Sequence, residues 1–323
     1  MKDRLFFVLS GEHRTLPHAE IRAILQSQEI HFKQRAASTK LLRITAEPSA
    51  LDAVARRSVM YEQCGFEIAV TSQGKRRLLS LLLRMDLSRH FAKRRSFAVR
   101  SLRVGGASRY LNRASLEREV GGVLKERSHG VGVNLDRPDV TFLCVVSSRG
   151  LLLGEVTHSR VPGLIASRRP RKRPVFHPST MQPKLARCIV NLARPPEGAT
   201  LLDPFCGVGG ILLEAVAIRC LAIGADADPR MIRGARTNLT HYGAAPFGLI
   251  VADATKILYE VSDRSSLTRH MAGRHRLVDE NSALLSENSY PQPRISFPRK
   301  VTFAYAARVS CESRLLQSDQ DSS

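Results

Sequence analysis

Asp203, Asp226 and Asp253 each close a short apolar run, in "LLD", "LAIGAD" and "LIVAD". A carboxylate at the end of a strand can accept hydrogen bonds from both hydroxyls of a ribose. Asp226 suits that task for an adenosine cofactor, and Asp253 is placed to reach an adenine amino group. Three successive strands that each end in Asp imply one ligand lying across their carboxyl ends. Between the first two runs stands the turn "DPFCGVGG", residues 203–210. Glycines after a strand let backbone N–H groups come close to a ligand, because a Cβ would clash there. Such a turn alone serves dinucleotide enzymes and many ordinary loops. Cys206 lies within it without a matching base, and reads as a loop-filling side chain rather than a nucleophile.

The elements that must hold these residues have an α/β rhythm. "ATLLD", "CLAIGAD" and "FGLIVAD" read as strands, with "GILLEAVAIR" and "MIRGARTNLTHYG" as the helices between them. Three parallel strands joined by crossover helices begin a doubly wound sheet. An amphipathic helix, "MQPKLARCIVNLA", precedes it. His177, ahead of that helix, and His241-Tyr242, at the end of another, read as structural contacts.

The N-terminal half reads as α+β. "RLFFVLS" is a buried strand, and Thr15 and Pro17 open a helix with Ile21, Ile24 and Leu25 at helical spacing. With the strand "KLLRITAE" these form one unit over residues 1–50. A second unit spans 51–157. In it "SFAVRSLRV" alternates with Arg100 and Arg103 outward, Ser115 caps the helix "LEREVGGVLKER", and "DVTFLCVVSS" and "GLLLGEV" form a hairpin around Arg149-Gly150.

The net charge is +21, and the 68 residues from Lys256 onward hold ten basic and eight acidic side chains, so +19 resides on 1–255. A surplus of that size favours a polyanionic partner, since each neutralised phosphate releases condensed counterions. Two clusters stand out: Lys93, Arg94 and Arg95, with Arg100, Arg103 and Arg109 nearby, and the run Arg168, Arg169, Arg171, Lys172 and Arg173. The first is a solvated face or a grip on an RNA backbone. The second lies in 158–175, which holds three prolines and, counting His158, seven basic side chains, and is expected to be a linker that touches RNA. Six separated cysteines with no C-x-x-C pair argue against a zinc ribbon or a disulfide framework, so no metal is expected. The N-terminal apolar run is too short for a signal sequence and nothing else reads as a membrane span, so the expected location is cytoplasmic.

"HPSTMQPKLARCIVNLA", "LLDPFCGVGGILLEA", "IGADADPRMIRGARTNLTHYG" and "VADAT" resemble the archaeal and eukaryotic tRNA guanine-N2-methyltransferases that join a THUMP domain to a Rossmann-like methyltransferase domain, above all the type acting at tRNA position ten. "FFVLSGEHRTLPHAEIRAIL" and "NLDRPDVTFLCVVSSRGLLLGEV" resemble the N-terminal parts of the same family, so the likeness covers roughly residues 1–255. It implies a ferredoxin-like unit (1–50), a THUMP RNA-binding domain (51–157), the basic linker (158–175) and a Rossmann-like methyltransferase domain (176–255). It implies S-adenosylmethionine as cofactor and tRNA as partner. Asp203, Phe205, Gly207, Gly209 and Gly210 would form the cofactor loop, Asp226 or its neighbour Asp228 would hold the ribose, and Asp253 the adenine. Pro178, Ser179 and Thr180 would cover the methionine end.

The family's fourth strand ends in Asp-Pro-Pro-Tyr, which accepts hydrogen bonds from the guanine amino group and stacks on the base. This sequence contains no such segment, so no catalytic residue is assigned. Residues 256–323 lack the βαβ rhythm, and only "VTFAYAARV" (301–309) looks like a strand. The methyltransferase domain is therefore expected to be incomplete, followed by an atypical, poorly ordered tail, as in a frameshifted, truncated or otherwise disrupted chain, with a divergent C-terminus as the alternative. An incomplete sheet leaves its first strand with an unpaired edge. The resemblance implies a tRNA guanine-N2-methyltransferase; the missing motif implies, as the alternative, an inactive remnant that binds tRNA and S-adenosylmethionine. A partner protein that completes the site is compatible with either.

Overall fold

The structure, a computed structural model, describes residues 2–106, 111–128, 130–161, 163, 165–245 and 247–254, and the backbone of 301–303. The rest of the expected tail, and Arg109, lie outside the described residues. The chain divides into two compact units, one of residues 1–25, 29–56 and 60–161, the other of 26–28, 57–59 and 162–323.

The first unit contains β1 (Asp3–Leu9), α1 (Leu16–Ser27), β2 (Lys33–Ser38), β3 (Leu41–Ala46), α2 (Ser49–Arg57), β4 (Tyr61–Thr71), α3 (Gly74–Arg84), α4 (Ser88–Phe91), β5 (Ser96–Arg103), α5 (Arg113–Arg127), β6 (Gly132–Val133), β7 (Val140–Ser147) and β8 (Gly150–Ser159). Its strands form one mixed sheet in the order β2-β3-β1-β4-β8-β7-β5-β6. The unbroken apolar run of β1 is explained by burial on both faces. Leu5, Phe7 and Leu9 pack with Ile21, Ile24 and Leu25 of α1, while Phe6 and Val8 pack with Leu143, Val145 and Leu152 on the opposite face. β1 and β4 are hydrogen-bonded neighbours, so the boundary expected at residue 50 falls inside one continuous sheet. β2 escapes pattern reading because "KQRAAS" is an edge strand with no buried residue. The cap of α5 is Asn112 rather than Ser115: Asn112 has the extended backbone a cap requires, and its Oδ1 accepts the Ser115 N–H at 3.0 Å.

The second unit contains α6 (Pro183–Leu192), β9 (Thr200–Asp203), α7 (Gly210–Val216), β10 (Leu221–Asp226), α8 (Pro229–His241), β11 (Phe247–Val251) and β12 (Val301–Phe303). The sheet order is β11-β10-β9-β12 and every pair is parallel. The expected three-strand core with crossover helices is present. The edge of β9 is not left open, because β12 pairs with it, Val301 beside Thr200 and Phe303 beside Leu202. The strand expected over 301–309 is thus found in its first three residues, and 304–309 lie outside the described residues.

The stretch expected as a linker is largely folded. Its first residues, to Ser159, complete β8, and its basic run forms two 3-10 turns, Ala166–Arg168 and Pro170–Lys172. The physical reason is Glu214 of α7, whose side chain is fully buried. A buried carboxylate needs cationic partners. Arg168 supplies one at 2.8 Å and Arg187 of α6 the other at 2.7 Å. Three segments distant in sequence are thereby tied at one carboxylate. Replacing Glu214 by Gln takes this counter-charge from the buried Arg187 and the half-buried Arg168. We expect a loss of about 3–5 kcal/mol in the unfolding free energy of this unit, measured by urea titration; an unchanged transition midpoint would contradict this account.

Candidate cofactor site

A cavity of about 540 Å³ opens in the second unit, lined among others by His177, Thr180, Asp203, Phe205, Gly207, Gly210, Asp226 and Met231. Asp203 and Asp226 are the last residues of β9 and β10, so the cavity sits at the carboxyl ends of parallel strands. In open α/β sheets that is where ligands bind, beside the strand at which the order reverses. Here β9 is that strand: the chain runs from it to β10 and β11 on one side and has β12 on the other.

The loop 204–209 is held by the carboxylates that frame it. Asp203 Oδ1 accepts the Phe205 N–H at 3.1 Å, and Asp226 Oδ2 accepts the Gly207 N–H at 3.0 Å. Asp226 Oδ1 accepts the Asp228 N–H at 3.0 Å. The Cys206 N–H donates to the Ala225 carbonyl at 2.9 Å, which fastens the loop to β10. Gly207 and Gly209 have φ of 50° and 83°, a left-handed conformation that residues with a Cβ adopt at a cost. Asn238 of α8, fully buried, completes the support. Its amide donates to the carbonyls of Val175 and Val208 and its Oδ1 accepts the Val175 N–H, all at 2.9 Å. Sequence reading passed over Asn238; the signal was a polar residue on the apolar side of a helix.

Of the expected cofactor residues, the structure brings Asp203, Phe205, Gly207, Gly210, Asp226 and Thr180 to one cavity. Gly209 caps α7 behind it. Phe205 is 46% exposed, and the Thr180 hydroxyl is buried without a hydrogen-bond partner. Asp228 is not among the lining residues; it is the N-cap of α8, accepting the Arg230 N–H at 2.8 Å and pairing with the Arg230 side chain at 2.9 Å. Those bonds hold its carboxyl below the usual Asp range. Asp253 is exposed, two residues beyond β11. His177 lies at the wall, hydrogen-bonded to the Ser179 hydroxyl at 2.7 Å.

The basic clusters are differently disposed. Lys93, Arg94 and Arg95 are exposed between α4 and β5, and Arg100 and Arg103 face outward from β5 with their guanidinium groups on the carbonyls of Leu135 and Leu111. In the 168–173 run only Arg169, Arg171 and Lys172 are exposed. Arg168 is half-buried and held on Glu214, and Arg173 is 5% exposed. Among the described residues no group of three or more His, Cys, Asp or Glu could hold a metal ion, and no helix is long and apolar enough to cross a membrane.

The second unit carries this cavity at the head of its parallel sheet, and the family described as RMKL-like, methyltransferase domain, matches residues 170–265. A tRNA (guanine(10)-N2)-dimethyltransferase of Methanothermobacter thermautotrophicus is 35% identical over 250 residues, 77% of this chain and 72% of the relative. One of Methanocaldococcus jannaschii is 33% identical over 254 residues, 73% of this chain and 70% of the relative. The chain belongs to the family of tRNA (guanine-N2)-methyltransferases. A solved structure of a possible methylase from Clostridium difficile aligns at TM-score 0.50 and 15% identity, covering 79% of this chain and 77% of that one, a likeness of fold.

Cys206 lines the cavity yet is 5% exposed, and burial, reinforced by the charges of Asp203 and Asp226, drives its thiol far above the ordinary range. Cys64 and Cys144 are likewise pushed up to about 12 by burial. Thiolate is the reactive form. At pH 8 the folded chain should therefore leave the peptides bearing these three cysteines unmodified by iodoacetamide, with full labelling in urea, as read by mass spectrometry. Rapid labelling of Cys206 in the folded chain would refute its inertness.

Proposed function

We propose that this chain transfers a methyl group from S-adenosylmethionine to the exocyclic amine of a guanine in tRNA, of the position-ten type. The observation that carries the reading is the convergence of Asp226, the glycine loop and Thr180 on one cavity at the head of the sheet, in a chain of this family. The residues present fit the cofactor. Asp226 has both oxygens on backbone N–H groups, which fixes the carboxylate with lone pairs left to accept ribose hydroxyls. The buried Thr180 hydroxyl lacks a partner that a polar ligand would supply. Asp253 is our candidate for the adenine amino group, and Asp228 serves the site indirectly by starting α8.

The cofactor supplies an electrophilic methyl group on a sulfonium. The chain's part is to orient that group, shield it from water and present the base. The guanine N2 lone pair is delocalised into the ring, so the amine needs an acceptor as its proton leaves. The first unit, which we assign as a ferredoxin-like portion followed by a THUMP domain, would hold tRNA by shape and charge. The exposed Lys93, Arg94, Arg95, Arg169, Arg171 and Lys172 are the side chains suited to phosphate contact. A guanine within a folded tRNA must be locally unstacked to enter the cavity.

The direct test is methyl transfer from labelled S-adenosylmethionine to unmodified tRNA by the purified chain, with nucleoside identification. N2-methylguanosine or its dimethyl form is expected; bound tRNA and cofactor without product would establish the inactive remnant instead. Separately, Asp226→Asn should weaken binding of both S-adenosylhomocysteine and 5′-methylthioadenosine about 10- to 100-fold, since both carry the ribose and hydrogen bonds to a charged acceptor contribute roughly 1.5–3 kcal/mol. Calorimetric titration checks this, and unchanged affinity would remove Asp226 from the ribose site.

A further inference from the structure

Arg173 is the one basic residue of the 168–173 run that has turned inward without acquiring an acidic partner within hydrogen-bonding distance. Its Nε donates to the Arg168 carbonyl at 2.9 Å, while both terminal nitrogens are buried with no hydrogen-bond partner among the described residues. Glu214, whose charge acts on it, is already engaged by Arg168 and Arg187. One carboxylate thus serves three guanidinium groups, two of them buried, a local excess of positive charge. Burial lowers the Arg173 pKa, and Glu214 acts in the opposite direction. An arginine stays charged in proteins, so the excess calls for an anion.

The position of that excess indicates where the anion comes from. A Cβ placed on Gly210 would lie 3.2 Å from an Arg173 terminal nitrogen and 3.6 Å from the Thr180 methyl group. Gly210 and Thr180 both line the cavity, so the guanidinium stands directly behind its wall. The absence of a side chain at Gly210 keeps that wall one backbone thick. Thr180, beside it, carries its own unpartnered hydroxyl. A guanidinium without an acid at hydrogen-bonding distance and a threonine side chain, both set against Gly210 at one end of the cavity, match a carboxylate. The carboxylates Asp203 and Asp226 belong to the strand ends, where a carboxylate ligand would be repelled.

We propose that Arg173 is the counter-charge for the α-carboxylate of the cofactor's methionine portion, acting as a positioning residue from behind Gly210 and Thr180. This rests on the S-adenosylmethionine reading above. It separates two tasks along the cavity: the strand-end carboxylates recognise the nucleoside, and Arg173 fixes the amino-acid end and with it the direction of the sulfonium. The charge works through a thin wall of low polarity, where screening by solvent is weak.

Calorimetric titration of the full chain with S-adenosylhomocysteine and with 5′-methylthioadenosine, which lacks the amino-acid portion, tests the proposal. Arg173→Met should weaken the first about 30-fold and leave the second within about twofold, on the order of one unit-charge attraction acting across a few ångströms of protein. Arg173→Lys, which keeps the charge, should recover most of the lost affinity. Equal weakening of both ligands would mean a purely structural role and overturn the proposal, as would no weakening of either. Should Arg173→Met not fold, the lysine variant and the unaltered chain still decide. The unaltered chain must bind S-adenosylhomocysteine more tightly than 5′-methylthioadenosine, and the lysine variant must keep that preference; equal affinity of the unaltered chain for the two would overturn the proposal alone. An unaltered chain that binds none of these ligands would overturn the cofactor reading and this proposal with it.

Discussion

The second unit depends on one buried charge. Glu214 is inaccessible to water, and a carboxylate in that setting persists only when cations are brought to it. Arg168 comes from the turns before α6 and Arg187 from α6 itself. Their convergence fixes α7 against both, and α7 begins at the glycine loop of the cavity. The charge run that looks like a solvated strap is therefore partly an internal brace. Only the side chains that remain outside it, Arg169, Arg171 and Lys172, are available to a nucleic acid.

The loop that walls the cavity is pinned through its backbone by side chains. Asp203 and Asp226 hold the N–H groups of Phe205 and Gly207, and Asn238 bridges the carbonyls of Val175 and Val208. Hydrogen bonds of this kind leave the loop little freedom, so a ligand meets a shape already formed and binding loses less to ordering. The polarity of the walls is uneven. Acidic groups lie at the strand ends, and positive charge lies behind Gly210. A ligand with a nucleoside at one end and an amino acid at the other is aligned by that difference alone.

The outer edge of β9 is covered from a distant part of the chain. β9 would present a row of unpaired backbone groups on its outer side, a hazard for association with other chains. β12, separated from β11 by some fifty residues, supplies the parallel partner in register with Thr200 to Leu202. Its pairing keeps β9 interior, which preserves the reversal point at which the cavity forms.

Much of this protein was legible in its residue order. The runs ending in Asp203 and Asp226 gave strands, the glycines after Asp203 gave the loop, and apolar periodicity gave α6, α7 and α8, because each of these depends on local geometry and burial of one face. β2 was not legible, since an exposed edge strand of "KQRAAS" leaves no periodic trace. Nor was the choice between Asp226 and Asp228, which lie two residues apart and differ only in that one faces the cavity and the other caps α8. The division of the basic run, the clamp at Asn238 and the unpartnered charge of Arg173 follow from which buried groups meet across long separations. Sequence determined the elements and the kind of chemistry, through short-range patterns of polarity and backbone freedom. Only the tertiary structure decided which charges are internal, because that is set by neighbours brought together by the fold.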